Sequence, residues 1–153
     1  MFTNFENMPK SKHQINFFFL AKNITMNRRQ QLKAFLSKLL KLEGRPAGCV
    51  NLIFCSDNYL LEINRNYLNH NYYTDIITFD LSESAEELSA EIYISVDRVR
   101  ENSMREGVSI TQELHRVIFH GFLHLCGYKD TEKGDIEIMR MKEDRYLDKY
   151  GLN

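Results

Sequence analysis

His120-Gly121-Phe122-Leu123-His124-Leu125-Cys126-Gly127-Tyr128-Lys129-Asp130 is the stretch on which the reading of this chain turns. Two histidines four residues apart lie one above the other on the same face of an α-helix, so their imidazoles can converge on one point. Gly127 suits the left-handed residue that commonly follows a last helical turn, after which the chain can double back and bring Asp130 to that point. Zinc binds imidazole nitrogen at about 2.0–2.1 Å and carboxylate oxygen at about 2.0–2.2 Å, and in catalytic sites it keeps one position open for water. The predicted metal ligands are therefore His120, His124 and Asp130, holding one zinc per chain. The same donor set also suits a non-haem iron centre, so another divalent transition metal stays open.

The spacing is that of the metzincin frame, H-E-x-x-H-x-x-G-x-x-H. Here the glutamate position is Gly121 and the last histidine is Asp130, so the carboxylate base of such peptidases has no counterpart. A lone histidine on an apolar helix is more often a packed, hydrogen-bonded residue than a ligand. The pair, the helix stop and the carboxylate together favour a metal. Gly121 costs a helix interior about 1 kcal/mol relative to alanine, which implies close approach of a neighbouring element, a metal or a substrate.

Working outward, Ser109 and Gln112 have capping-box spacing and open the metal helix. Leu114, Val117, Ile118, Phe122 and Leu125 cover much of its circumference, which predicts a buried central helix. Upstream, residues 1–12 read as irregular and His13 to Leu20 as a strand. A helix follows with Asn27 as its N-cap, a stripe of Leu32, Phe35, Leu36, Leu39 and Leu40, and a stop at Gly44 and Pro46. Cys49 to Phe54 is a short central strand, and Ser56 and Asp57 cap a helix carrying Tyr59, Leu60, Ile63 and Tyr67. Asp75 to Leu81 is a third strand, Ser82 to Ser89 a loop, and Glu91 to Val96 a fourth strand with Ile92, Ile94 and Val96 facing one way. Asp97 is expected to cap a short helix closed by Gly107. Asp135 is expected to start the last helix, turning Ile138, Met139, Met141 and Leu147 to the core.

The chain has 153 residues, 43% hydrophobic and 27% charged, as an ordinary globular domain does. Its longest apolar runs are too short to span a membrane, and no secretory signal is visible, so the expected location is cytoplasmic. Cys49, Cys55 and Cys126 include no Cys-x-x-Cys pair, which argues against a disulfide framework and against a thiolate zinc site. Charge is uneven: the first fifty residues carry +7 and the remainder −8, for a net −1. One reading is solvated helix faces; the other is a basic surface for nucleic acid built from Arg28, Arg29, Lys33, Lys38, Lys41 and Arg45, of which Arg28, Arg29 and Lys33 are the candidate RNA-binding contacts.

The residues resemble the YbeY family of bacterial rRNA maturation endoribonucleases with a single zinc. The features that carry the resemblance are His120-Gly-x-Leu-His124-Leu-x-Gly127-Tyr128 and Met139-x-x-x-Glu143. Upstream they are joined by the block from Tyr67 through Thr74-Asp75-Ile-Ile-Thr78-Phe79 and by Ala90-Glu91-Ile-x-Ile-Ser95. The resemblance implies an α+β fold: a single domain over 1–153, with a four-stranded sheet, about five helices and the metal helix at its centre. It also implies a metal-dependent endoribonuclease specific for single strands, acting in 16S rRNA 3′-end processing and ribosome quality control. Its partners would be ribosomal RNA and the small ribosomal subunit, with no membrane. His120 is the candidate catalytic residue, and a bound zinc would acidify its water and polarise a phosphoryl oxygen. Three departures stand out. Lys129-Asp130 replaces the usual Asp-His, Leu68 stands where the family usually has an arginine, and Ala90-Glu91 replaces Gly-Asp. No second base is identified, His70, Glu91 and His115 being candidates. The alternatives are a metallopeptidase-like hydrolase, disfavoured by Gly121, and a non-catalytic RNA-binding assembly factor with structural zinc.

Overall fold

The computed structural model describes residues 13–45 and 48–153. The order is β1 (Gln14–Phe19), α1 (Arg29–Leu42), β2 (Gly48–Cys55), α2 (Asp57–Leu68), β3 (Ile76–Asp80), β4 (Leu88–Ser95), α3 (Val96–Glu106), α4 (Ile110–Leu125) and α5 (Lys133–Tyr150). The four strands form one sheet in the order β1-β2-β4-β3. β2 runs parallel to β1 and to β4, while β3 is antiparallel to β4. This is the expected α+β architecture. Residues 1–12 and Pro46, read above as an irregular segment and part of a helix stop, lie outside the described residues.

Because side chains alternate across a strand, the sheet has two distinct faces. Val50, Leu52, Phe54, Ile92 and Ile94 join Leu32, Leu36, Val117, Phe119 and Phe122 in the larger core. On the other face Ile53, Cys55, Ile77 and Tyr93 meet Leu60 and Ile63 of α2. Strands β2 and β4 are covered on both faces, which is why they read as nearly continuous apolar runs. Burial pushes the Cys55 thiol up to about 12, in keeping with a small buried hydrophobe.

Helix α4 lies directly on the sheet. A methyl group placed at Gly121 would stand 2.7 Å from Ile76 Cδ1 and 3.2 Å from Ile92 Cγ2. The close approach that Gly121 permits is thus to β3 and β4, and it brings the adjacent His120 to the rim of the core. Ser109 Oγ accepts from Gln112 N at 3.0 Å to start the helix. Gly127, at φ 95°, stops it. Tyr128 N donates to Leu123 O at 3.1 Å and Gly127 N to His124 O at 3.0 Å, the paired bonds of a Schellman motif.

Several helix starts differ from their expectation. Helix α1 is entered through Arg28, in the left-handed region at φ 54° and with no side-chain cap, rather than through Asn27. Asp97 does not cap its own helix. Ser95 Oγ does so, accepting from Arg98 N at 3.2 Å. Asp97 Oδ2 instead accepts from Asp57 N at 2.8 Å, at the first turn of α2. Asp57 in turn accepts from Ser95 Oγ and Arg98 Nε, both at 3.1 Å, so side chains at the N-termini of α2 and α3 tie the two helices together. Helix α5 begins at Lys133, with Asp135 in its first turn. Met139, Glu143, Tyr146 and Leu147 form its buried stripe. Ile138 and Met141 fall off that stripe, at 45% and 61% exposure, because a period of 3.6 residues turns them to solvent.

Candidate metal centre

His120 and His124 project from the last two turns of α4, and Asp130 comes from the loop that Gly127 turns back. Asp130 Oδ2 lies 3.2 Å from His120 Nε2 and 3.5 Å from His124 Nε2. One ligand atom from each of the three residues lies within 4.8 Å of the others. Ligand atoms arranged tetrahedrally about an ion at zinc distances stand roughly 3.3 Å apart, so this spacing fits a metal as well as a set of hydrogen bonds.

The two imidazoles are turned so that Nε2 faces the common point, because each Nδ1 is engaged behind it. His120 Nδ1 stands 2.5 Å from Glu143 Oε1. His124 Nδ1 donates to the Tyr128 carbonyl oxygen at 2.9 Å. Both are the outer partners that orient a ligating histidine and fix its tautomer. Glu143 is itself buried and also accepts from Arg116 Nη1 at 3.1 Å. Arg116 is paired on its other side with buried Glu113. Burial would raise the Glu143 carboxyl, but the His120 hydrogen bond and the Arg116 charge outweigh it and hold the group below the usual carboxylate range.

A second support holds the loop. Glu43, just past α1, accepts from Tyr128 Oη at 2.6 Å, from Lys142 Nζ at 3.0 Å and from Tyr146 Oη. Burial raises the Glu43 carboxyl, yet these hydrogen bonds and the Lys142 charge bring it below its ordinary value. Arg45 Nη1 donates to Leu125 O at 2.9 Å, close to the end of α4.

Two adjoining cavities open over the three candidate ligands, of about 440 Å³ and 340 Å³, and both include Asp75, Ile76, His120 and Asp130 in their walls. The larger is lined further by Leu68, His70, Tyr72, Thr78 and His124. Thr78 Oγ1, in that wall, is buried without a protein partner. Of the three candidate second bases, His70 lines this cavity. His115 is buried, with Nδ1 2.6 Å from Thr111 O and its ring stacked on Tyr150, and burial lowers its basicity. Glu91 is buried and accepts from Tyr93 Oη at 2.6 Å. Arg28, Arg29 and Lys33 do not line either cavity. Arg29 lies over the Phe19 ring at 4.3 Å and Lys33 over Phe17 at 5.2 Å.

The family model described as Endoribonuclease YbeY matches residues 15–151, spanning the sheet, α4 and the whole metal loop. The chain belongs to the YbeY family. An Endoribonuclease YbeY of Cytophaga hutchinsonii is 44% identical over 137 residues, covering 89% of this chain and 96% of that protein. One from Flavobacterium psychrophilum is 50% identical over 113 residues, covering 74% of this chain and 80% of that protein. The solution structure of TM1509 from Thermotoga maritima superposes with a TM-score of 0.60 at 26% identity, over 90% of this chain and 91% of that one.

Within this YbeY-family site, the pattern of the sequence marks the candidate ligands but assigns no role to their supports. The one signal available for Glu113, Arg116 and Glu143 is that they are charges at core-facing positions of α4 and α5, where an uncompensated charge is costly, and it names no partner. The part played by Tyr128 through its carbonyl leaves no trace in side-chain pattern.

Proposed function

We propose that the chain is a metal-dependent endoribonuclease that hydrolyses phosphodiester bonds in single-stranded RNA. Ribosomal RNA of the small subunit is its substrate in 16S 3′-end maturation and quality control in the cytoplasm. The observation that carries the reading is the convergence of His120 Nε2, His124 Nε2 and Asp130 Oδ2 at the junction of two open cavities, in a chain of the YbeY family. His120, His124 and Asp130 would hold zinc. When bound, such an ion acidifies a coordinated water and polarises a phosphoryl oxygen.

The chain's own residues supply the rest. Glu143 and the Tyr128 carbonyl hold the two imidazoles in the ligating tautomer, and Glu113 and Arg116 keep Glu143 ionised and aligned. The Thr78 hydroxyl and the His70 ring stand where a substrate in the larger cavity would meet them. Position 121 is packed against Ile76 and Ile92, so a glutamate there would bury its carboxylate in the sheet interface, which weighs against the peptidase reading. No helix among the described residues is long and apolar enough to cross a membrane.

Zinc-loaded protein incubated with end-labelled single-stranded RNA, the same sequence as a duplex, and an unstructured peptide tests the reading. Internal cleavage of the single strand, abolished by a chelator, is expected; metal-dependent cleavage of the peptide alone would replace it with the peptidase reading. Arg28, Arg29 and Lys33 are proposed as a separate, outer RNA contact. Charge reversal at all three should weaken binding and flatten its salt dependence, whereas an unchanged slope would reduce them to packing residues.

A further inference from the structure

The walls of the cleft are chemically unequal. The larger cavity is lined by Asn64, Leu68, Tyr72 and Thr74 among others, with no lysine or arginine among the described residues of its wall. The smaller one brings Arg105 from the last turn of α3 and Arg140 from α5 to the same space as His120 and Asp130, with Arg116 beneath them. Arg116 is already committed: its side chain is 17% exposed and paired with both Glu113 and Glu143. Arg105 and Arg140 are different, at 64% and 59% side-chain exposure: Arg105 Nη2 donates to Asn102 Oδ1 at 2.9 Å and Arg105 Nε reaches Glu106 at 3.5 Å, while Arg140 stands 3.6 Å from the buried Glu143, which Arg116 already neutralises. The exposed Arg105–Glu106 pair contributes little to stability, and both guanidiniums keep most of their surface open to the cavity.

Charge balance explains them better. Glu113, Glu143, Asp75 and Asp130 crowd four carboxylates around the centre. Arg116 together with a divalent ion would leave this group net negative. An RNA strand, with a charge on every phosphate, would be repelled unless further cations faced it. The structure assigns that task to Arg105 and Arg140: we infer that they form a phosphate-binding subsite for single-stranded RNA on the α3–α5 side of the metal centre. Each guanidinium can take a phosphate in a bidentate manner. The strand then enters along the smaller cavity and crosses His120 and Asp130 into the arginine-free one. This inference rests on the RNA reading above and adds the side from which the backbone is gripped.

The test uses full-length zinc-loaded chain and a fluorescent single-stranded oligoribonucleotide, with binding followed by anisotropy over a range of salt concentrations. The double variant Arg105→Gln/Arg140→Gln should bind more weakly, with a slope of log affinity against log salt reduced by about 1.4, roughly 0.7 for each single-strand phosphate that is no longer neutralised. Arg105→Lys/Arg140→Lys should recover most of the slope, and zinc affinity should be the same in all three proteins. An unchanged slope overturns the inference, and so does a parallel loss of zinc affinity, which would make the pair a support of Glu143. Wild-type protein that binds with the steep slope but never cleaves retires the endoribonuclease reading and leaves this one standing. Wild-type protein that cleaves while the glutamine variant keeps its slope retires this one alone.

Discussion

Glu143 Oε1 stands 2.5 Å from His120 Nδ1, and the other oxygen of the same buried carboxylate takes Arg116 Nη1 at 3.1 Å. One side chain therefore orients a candidate metal ligand and neutralises a buried cation. Glu143→Gln keeps an acceptor for His120 but removes the charge that faces Arg116. Zinc affinity should fall by about 10–100-fold, the usual cost of losing an outer partner. Glu143→Ala should add a folding defect of about 3–5 kcal/mol, because Arg116 is left without half of its compensation. Competitive zinc titration and urea unfolding separate the two effects. Equal zinc affinity in wild type and the glutamine variant would show that Glu143 acts only in the core.

Asp130 is the most exposed of the three candidate ligands, its side chain at 40%, and it belongs to a loop rather than to α4. Its contribution should therefore be separable from folding. Asp130→Ala is expected to lower zinc affinity by more than about 100-fold with little change in melting temperature, while Asp130→His retains the metal with one negative charge fewer at the site. Zinc titration against a chromogenic chelator reads this directly, and full affinity in the alanine variant would remove Asp130 from the ligand set.

Glu43 ties the end of α1 to Tyr128, and through the Tyr128 carbonyl to His124. Its folded carboxyl lies below its ordinary value, so the sign is that of a depressed acid. The stability it supplies is fully present above the unfolded carboxylate value of about 4.3 and is lost as pH falls through the lower folded value. Glu43→Gln should cost about 1–3 kcal/mol at neutral pH, with the difference from wild type shrinking below about pH 4. Urea unfolding between pH 3 and 8 measures it. A difference that does not vary with pH would mean that packing, not charge, is what Glu43 contributes.

What could be read from the sequence was local. The two histidines, the Gly127 stop and Asp130 fall within eleven residues, so helix geometry alone places them together. The strands and most helices were legible for the same reason, through alternation and 3.6-residue stripes. The supports were not: Glu143 is 23 residues from His120, and Glu43 is 85 from Tyr128. Asp97 shows the limit well. Its position after a strand fits an N-cap, but the amide that it caps belongs to Asp57, 40 residues earlier. Ile138 and Met141 failed for a different reason: being apolar does not decide which side of a helix faces the core.

Whether the metal serves chemistry or folding is decided by where it lies relative to the core. Phe119, Phe122, Leu123 and Leu125 of α4 are buried against the sheet and neighbouring helices, whereas His120 and His124 keep 16% and 29% side-chain exposure on the rim that faces the cavities. A core of this extent closes without help from a metal, and a domain of this size does not need one. His124→Ala should therefore stay folded, with circular dichroism and melting temperature close to those of wild type. It should fail to cleave single-stranded RNA while still binding it, more weakly only by the loss of the metal's charge, and chelation of the wild type should give the same three results. A structural zinc predicts another pattern, in which the substitution or the chelator melts the protein and abolishes RNA binding in one step. Loss of cleavage with structure and binding retained supports the hydrolytic role, and loss of all three together would turn the centre into a structural clip.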